Sequence, residues 1–359
     1  MTKKKIIILT PALSSGGAER VLSVLSTGLA DAFSEVHYLM WYDIPVFYVI
    51  DDRVKIVSLE SKYGSKKFIT KMLNFRKYVN KEAPDLILAF GAPFSMISLI
   101  SLAGTGSNVI AAERIDPSRF IWGKCLKILR DYLYKFAKGI LTQTESGRFY
   151  FKGKTYYNNV DVIYNPIIMS KELIGSALHT QKEDLIISVA RLTPQKNQSF
   201  LIETFVEFHK THPSYQLVIF GEGGERNNLE TLINELHASE FVKLPGVSKN
   251  VWDEMKRAKA FVLTSNYEGM SNSMIEAMCL GLPCISTKVS GAVDLIRNNV
   301  NGLLVENNDS KSLIDAFSQV VDNPSFAKTI GEASSSLYDK LNENRITAEW
   351  VNYINSKTI

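Results

Sequence analysis

Ala260-Phe-Val-Leu-Thr264, followed by Ser265-Asn-Tyr-Glu268-Gly-Met-Ser-Asn-Ser-Met-Ile-Glu276 and Ala277-Met-Cys-Leu-Gly-Leu-Pro283, decides the fold. The apolar run reads as a buried strand, the small polar residues as a loop, and the remainder as a helix stopped near Gly281 and Pro283. Glu268 then lies in the loop at the strand's carboxyl end, and Glu276 one to two turns into the helix. Ligands of open α/β sheets bind outside the carboxyl ends of the strands. Two carboxylates placed there are acceptors for a ligand rich in hydroxyls. The bland alternative makes Glu276 an exposed helix residue and Glu268 a cap.

A second segment, Asp184-Leu-Ile-Ile-Ser-Val-Ala-Arg191-Leu-Thr-Pro-Gln-Lys196-Asn197, is a buried-type strand running into a loop with two cations. An Arg fork and a Lys point charge on a turn broken by Pro194 suit a diphosphate. Gly221-Glu-Gly223-Gly224 follows the strand-like Leu217-Val-Ile-Phe220. Gly16-Gly17-Ala-Glu19-Arg20 follows the first strand. Paired glycines let a loop approach a ligand and open a helix whose amides favour anions. A tight strand-to-helix turn explains them as well, and Glu19 and Arg20 are then ordinary first-turn residues. The spacing is not that of a dinucleotide fingerprint.

These motifs together resemble the retaining glycosyltransferases of family 4, which have the GT-B fold. The resemblance rests on Glu268 and Glu276, seven residues between them, preceded by the Arg191 and Lys196 pair. It is strongest from about 185 to 306, including Asn301-Gly-Leu-Leu-Val305. It implies that Arg191 and Lys196 hold the donor diphosphate and that Glu276 takes the ribose hydroxyls. Glu268 and the backbone of Gly269, Met270, Ser271 and Asn272 would contact the transferred sugar. Gly221 and Gly223 would line the nucleotide pocket, and the Gly246-Val247 segment would read the base through its backbone. The Gly-Gly-Ala-Glu-Arg run resembles a subgroup that builds bacterial surface polysaccharides, where Gly16 and Gly17 would border the donor diphosphate and the acceptor.

The acceptor side falls to the first half. Val109-Ile-Ala-Ala-Glu113-Arg114-Ile-Asp116 places charges at a strand end. Arg114 suits an acceptor phosphate, and Glu113 or Asp116 a hydroxyl; Glu19 is a further acceptor-binding candidate. A local salt-bridge cluster is the alternative. Many family members carry a histidine here, whereas this chain has none between His37 and His179. No Asp-x-Asp pair occurs to hold a divalent ion on a diphosphate, so no metal and no cofactor beyond the co-substrate nucleotide-sugar is expected.

Length and composition bound the reading. A chain of 359 residues with 45% hydrophobic and 22% charged residues is ordinary globular material for two domains. Apolar runs near 6, 36, 54, 86, 109, 139 and 160, then near 185, 216, 241, 260, 284 and 303, alternate with helical patterns, as parallel α/β layers require. The expected division is an acceptor-binding Rossmann-like domain over 1–165 and a nucleotide-sugar domain over 166–340. The resemblance adds a cleft between them and a helix over 341–359 returning to the first domain, with Trp350, Val351, Tyr353 and Ile354 on its apolar face. The polar segment 170–184 reads as a linker. Three cysteines form no disulfide framework, and with no secretory signal the chain is expected in the cytoplasm.

Charge is asymmetric. Residues 1–165 carry 23 Lys and Arg against 14 Asp and Glu, a net +9, while the whole chain is +4. Two basic segments, 66–81 and 119–138, interleave cations with apolar and aromatic residues. Each is either a core stripe with a solvated basic face or an interfacial helix on anionic lipid. The expectation is a transferase moving a sugar from a nucleotide-sugar, UDP ranked ahead of GDP. Its acceptor is a glycan or a polyprenyl-diphosphate-linked sugar in capsule, O-antigen or exopolysaccharide synthesis, at the inner face of the membrane. A same-fold enzyme with a soluble acceptor, or an epimerase, is the alternative. No nucleic-acid motif accompanies the basic half.

Overall fold

The computed structural model describes residues 4–119, 123–154 and 159–358. The chain divides into two compact units, 1–168 with 341–359, and 169–340. The first carries a sheet of β1 (Lys5–Thr10), β2 (Glu35–Met40), β3 (Val54–Ser58), β4 (Leu86–Phe90), β5 (Val109–Ala112), β6 (Gly139–Thr142) and β7 (Val160–Val162). Their order is β3-β2-β1-β4-β5-β6-β7 and every pairing is parallel. The second carries β8 (Leu185–Val189), β9 (Gln216–Phe220), β10 (Val242–Gly246), β11 (Ala260–Leu263), β12 (Cys284–Thr287) and β13 (Leu303–Val305). Their order is β10-β9-β8-β11-β12-β13, again all parallel.

Both sheets are doubly wound. Chain order reverses beside β1 in the first, next to β4, and beside β8 in the second, next to β11. Continuous apolar runs such as Ile6-Ile-Ile-Leu9, all with no exposed surface, are what a parallel strand covered on both faces needs. The charge-free stretch 86–112 resolves into β4, a helix over Ala92–Ser101 and β5. No helix among the described residues is long and apolar enough to cross a membrane.

The expected linker is a helix. Lys171–Leu178 opens on Ser170, whose side chain accepts from Leu173 N, and belongs to the second unit. Ala177 is buried, and Leu178 packs against Gly281. The final helix, Glu343–Lys357, belongs to the first unit. It buries Ile346, Trp350, Tyr353 and Ile354, whereas Val351, expected on that face, is only part-buried. The helix packs on Gly17–Ala32, where a Cβ at Gly28 would overlap Thr347. Trp350 also lies 6.0 Å, ring to ring, from Phe90 at the end of β4.

The two basic segments part ways. Helix Phe68–Glu82 buries Lys71, Phe75, Tyr78 and Val79, while Phe68 is 55% exposed. Helix Lys124–Leu133 buries Arg130 alone and leaves Leu126, Ile128, Leu129 and Tyr132 in solvent. Phe120, Ile121 and Trp122 of that segment lie outside the described residues.

Candidate active site

The second unit gathers its predicted residues at the carboxyl ends of β8, β9, β10 and β11. After β8 the chain passes through Arg191 and a short turn, Pro194–Lys196. After β11 it makes the loop holding Glu268, then the helix Asn272–Cys279, which Ser271 caps by accepting from Met274 N. Glu268 is therefore no cap. Glu276 lies on the second turn with 4% of its surface exposed, and Glu268 with 7%. Carboxylates are seldom this buried without a task or a partner.

Lys196 Nζ contacts Glu268 Oε1, and Ser265 Oγ donates to the same oxygen at 2.8 Å. Gln195 Nε2 donates to Tyr267 O at 2.8 Å and reaches Glu268 Oε2 at 3.4 Å. Gln195 O accepts from Asn266 N at 2.8 Å. Thr264 Oγ1 donates to Lys196 O and Asn197 O, each at 3.2 Å. The two loops are thus stitched together by short polar side chains. Gln195, Ser265 and Thr264 are not among the sequence candidates, because a residue that binds loop backbone, as Gln195 and Thr264 do, or a neighbouring carboxylate, as Ser265 does, carries no spacing signature.

Arg191 stands differently. Its side chain is exposed and, among the described residues, has no hydrogen-bond or ion-pair partner. What fixes it is backbone. Ala190 N donates to Phe220 O and Leu192 N to Glu222 O, tying the Arg191 segment to the Gly221-Glu-Gly223 loop. Both glycines are needed for that closeness. A Cβ at Gly221, whose φ is +140°, would overlap Ala190 O, and one at Gly223 would overlap Leu192 O. Val247, just past β10, is 74% exposed. Gly269 and Met270 are pressed by Gly291, where a Cβ would overlap Gly269 O. Arg191, an exposed cation, therefore shares the loop after β8 with Lys196, whose ion pair with Glu268 ties that loop to the one after β11, at the sheet's reversal point.

In the first unit, Gly16 precedes the helix Gly17–Ala32, and the Glu19 carboxylate folds back over Gly16. Glu113 and Arg114, adjacent at the end of β5, have opposite surroundings. Glu113 is buried, accepts from Tyr134 Oη at 2.8 Å and has Arg130 Nη1 at 3.6 Å. Burial raises its pKa, against the pull of Arg130. Its task in this arrangement is to hold helix Lys124–Leu133 onto β5. Arg114 instead faces Asn165, with Nη2 to Oδ1 at 2.8 Å.

Two doubly wound parallel α/β units, the second with cations and carboxylates on facing loops at the strands' carboxyl ends, define the GT-B class of fold. Residues 170–336, nearly the whole of the second unit, match the family model described as "Glycosyl transferases group 1", which makes that unit a glycosyltransferase domain of this family. The chain is 26% identical, over 98% of both chains, to a Campylobacter jejuni alpha-1,4-N-acetyl-D-galactosaminyltransferase whose name specifies a GalNAc-containing diphospho-undecaprenol substrate. It is 24% identical to the amylovoran biosynthesis glycosyltransferase AmsD of Erwinia amylovora, over 98% of this chain and 99% of that one. Among solved structures, Anabaena HepE in complex with UDP and glucose superposes with a TM-score of 0.80 at 18% identity, covering 98% of this chain and 100% of that one. Sucrose-phosphate synthase from Thermosynechococcus elongatus gives 0.85 at 16%, covering 99% of each.

Proposed function

We propose that the chain is a retaining, metal-independent glycosyltransferase that moves a sugar from a nucleotide-sugar, UDP-linked in preference to GDP-linked, to a lipid-linked or oligosaccharide acceptor in bacterial surface glycan synthesis. The observation that carries this reading is that Arg191 and Lys196 follow β8 while Glu268 and the buried Glu276 follow its neighbour β11, at the reversal point of the second sheet, with Lys196 paired to Glu268. Arg191 and Lys196 neutralise the departing diphosphate, the charge that develops as the sugar's anomeric carbon loses its bond to phosphate oxygen. Helix Asn272–Cys279 starts at the carboxyl end of β11, and the amino end of a helix favours an anion. Glu276 accepts from the ribose hydroxyls, and Glu268 orients the sugar. The acceptor hydroxyl attacks on the face the leaving group vacates, and its proton passes to the departing phosphate oxygen. The first unit holds the acceptor.

The relatives' printed substrates favour a diphospho-lipid or exopolysaccharide setting. Helix Lys124–Leu133, with its outward Leu126, Ile128, Leu129 and Tyr132 among Lys124, Lys127 and Lys135, supports attachment to an anionic membrane surface.

Calorimetric titration of the wild type and Glu276→Ala with UDP, GDP and ADP, with and without EDTA, tests the reading. The expected result is binding of UDP, insensitive to EDTA and lost in the variant. Failure of all three nucleotides to bind overturns it.

A further inference from the structure

Arg114 is a cation set among neutral groups. Nη2 donates to Asn165 Oδ1 at 2.8 Å, and the Gln143 amide adjoins both residues, with Nε2 2.6 Å from the same oxygen. Turned by half a rotation, that amide would instead present its oxygen to Arg114 Nη2 at 2.7 Å. In either orientation the guanidinium meets only amides. Its other face lies over the Phe90 ring, Cζ to centroid 4.5 Å. Nε is buried and has no hydrogen-bond partner. Among the described residues no carboxylate forms an ion pair with Arg114, and Glu19 acts on it only through space. Burial pushes its pKa down to about 9.

The buried basic side chains of the same unit are built the other way. Lys71 pairs with Glu60 at 2.8 Å. Arg130 pairs with Asp131 at 2.8 Å and faces Glu113. Arg114 is half-buried, and its Nε fully so; a cation partly drawn out of water without an anion carries a cost, and proteins keep one chiefly where a ligand supplies the missing charge. The position agrees. Phe90 ends β4, and Arg114, Gln143 and Asn165 follow β5, β6 and β7, so four neighbouring strands present these groups at their carboxyl ends. Gly16, Gly17 and Glu19 follow β1, the next strand in the sheet. A net +9 over residues 1–165 favours a highly charged anion.

We infer that Arg114, stacked on Phe90 and steadied by Gln143 and Asn165, binds a phosphate of the acceptor. Gln143 and Asn165 are positioning residues that hold the guanidinium fork toward it. This inference rests on the transferase reading above.

The test uses the full chain saturated with UDP, so that the donor site is occupied. Geranyl diphosphate, inorganic pyrophosphate and geraniol are titrated calorimetrically into the wild type, Arg114→Gln and Asn165→Ala. Geranyl diphosphate and pyrophosphate bind the wild type and geraniol does not. Arg114→Gln weakens both anions at least about tenfold, as loss of a charge-assisted contact does, and Asn165→Ala weakens them less. UDP affinity is unchanged in both variants. The melting temperature of Arg114→Gln holds or rises, because the cation it removes has no ion pair. Three results overturn the inference. The anions bind Arg114→Gln as they bind the wild type; Arg114→Gln melts several degrees lower with anion binding intact, which makes the residue structural; or it weakens UDP instead, which gives the anion to the donor. Absence of UDP binding by the wild type strikes the transferase reading itself.

Discussion

Lys196 and Glu268 form a direct ion pair across 72 residues of chain, joining the loop after β8 to the loop after β11. Neither side chain is much exposed, 12% for the lysine and 8% for the glutamate, so water screens the pair only partly. Lys196→Ala strands a carboxylate whose remaining donors are Ser265 and Gln195. The expected cost is about 1–3 kcal/mol. Glu268→Gln removes the stranded charge, and its amide oxygen still accepts from Gln195 while its amide nitrogen donates to the Ser265 hydroxyl turned to accept. Adding it to Lys196→Ala therefore recovers much of the loss. A double-mutant cycle from urea unfolding measures the coupling, expected at about 0.5–3 kcal/mol. A coupling of zero would mean that the pair does not hold the loops.

Gly223→Ala tests how Arg191 is placed. The added methyl overlaps Leu192 O, and that carbonyl also accepts from Glu225 N. The strand-end loops are forced apart and Arg191 moves with them. UDP affinity and melting temperature both fall, whereas Gly224→Ala, with open space around it, leaves both near wild type. Isothermal titration and thermal melts of the two variants make the comparison, and equal behaviour would remove the steric account.

Much of this is legible in the sequence. Parallel strands covered on both faces must be apolar throughout, so the run Ile6 to Leu9 and its counterparts announced the sheets. The loop of Glu268 and Glu276 was legible because a strand, small polar residues and a helix follow one another without interruption. Helix Lys171–Leu178 was hidden because it buries little beyond Ala177, leaving no apolar stripe to detect. Glu113 and Arg114 illustrate a deeper limit. Their charges are visible in the sequence, but neighbours at a strand end take opposite sides, and only the fold shows Glu113 committed to Arg130 and Tyr134.

The outward face of helix Lys124–Leu133 predicts lipid binding. Ile128 is 70% exposed and Phe136 65%, beside Lys124, Lys127 and Lys135. The protein co-sediments with vesicles containing anionic phospholipid, less so at high salt, and weakly with zwitterionic ones. Ile128→Glu with Phe136→Glu abolishes the binding and leaves UDP affinity intact. A chain that ignores both vesicle types, or that dimerises through this face in analytical ultracentrifugation, refutes the membrane assignment.

Acid stability follows from His37 and Glu35. The buried imidazole has Nε2 2.6 Å from Glu35 Oε1 and Nδ1 2.8 Å from Tyr78 Oη, and the neutral Nε2–H tautomer satisfies both. Burial lowers the His37 pKa below its ordinary 6.5, while hydrogen bonds from His37 and then Lys5 bring Glu35 from 4.5 to about 2. Both shifts leave the unfolded chain with more bound protons. Stability therefore falls as pH drops, first below about 6.5 through the imidazole and then from about 4.5 toward 2 through the carboxylate. Melts recorded from pH 8 to 3 show the decline, and Glu35→Gln flattens its lower limb. An unchanged slope in that variant would assign the acid loss elsewhere.

Thiol reactivity reports the packing around Glu276. Cys125 is exposed, whereas Cys279 and Cys284 are buried. Burial, with the Glu276 carboxylate near by, pushes the Cys279 thiol up to about 12, and burial holds Cys284 well above its ordinary range. The thiolate is the reactive form, so two barriers, access and ionisation, protect the inner pair. Ellman's reagent titrates one thiol in the native chain and all three in denaturant. Glu276→Gln removes the charge beside Cys279 but none of its cover, so the native count stays at one. A second fast thiol in the native wild type would show that helix Asn272–Cys279 opens readily, and a site that needs Glu276 held still could not be built on it.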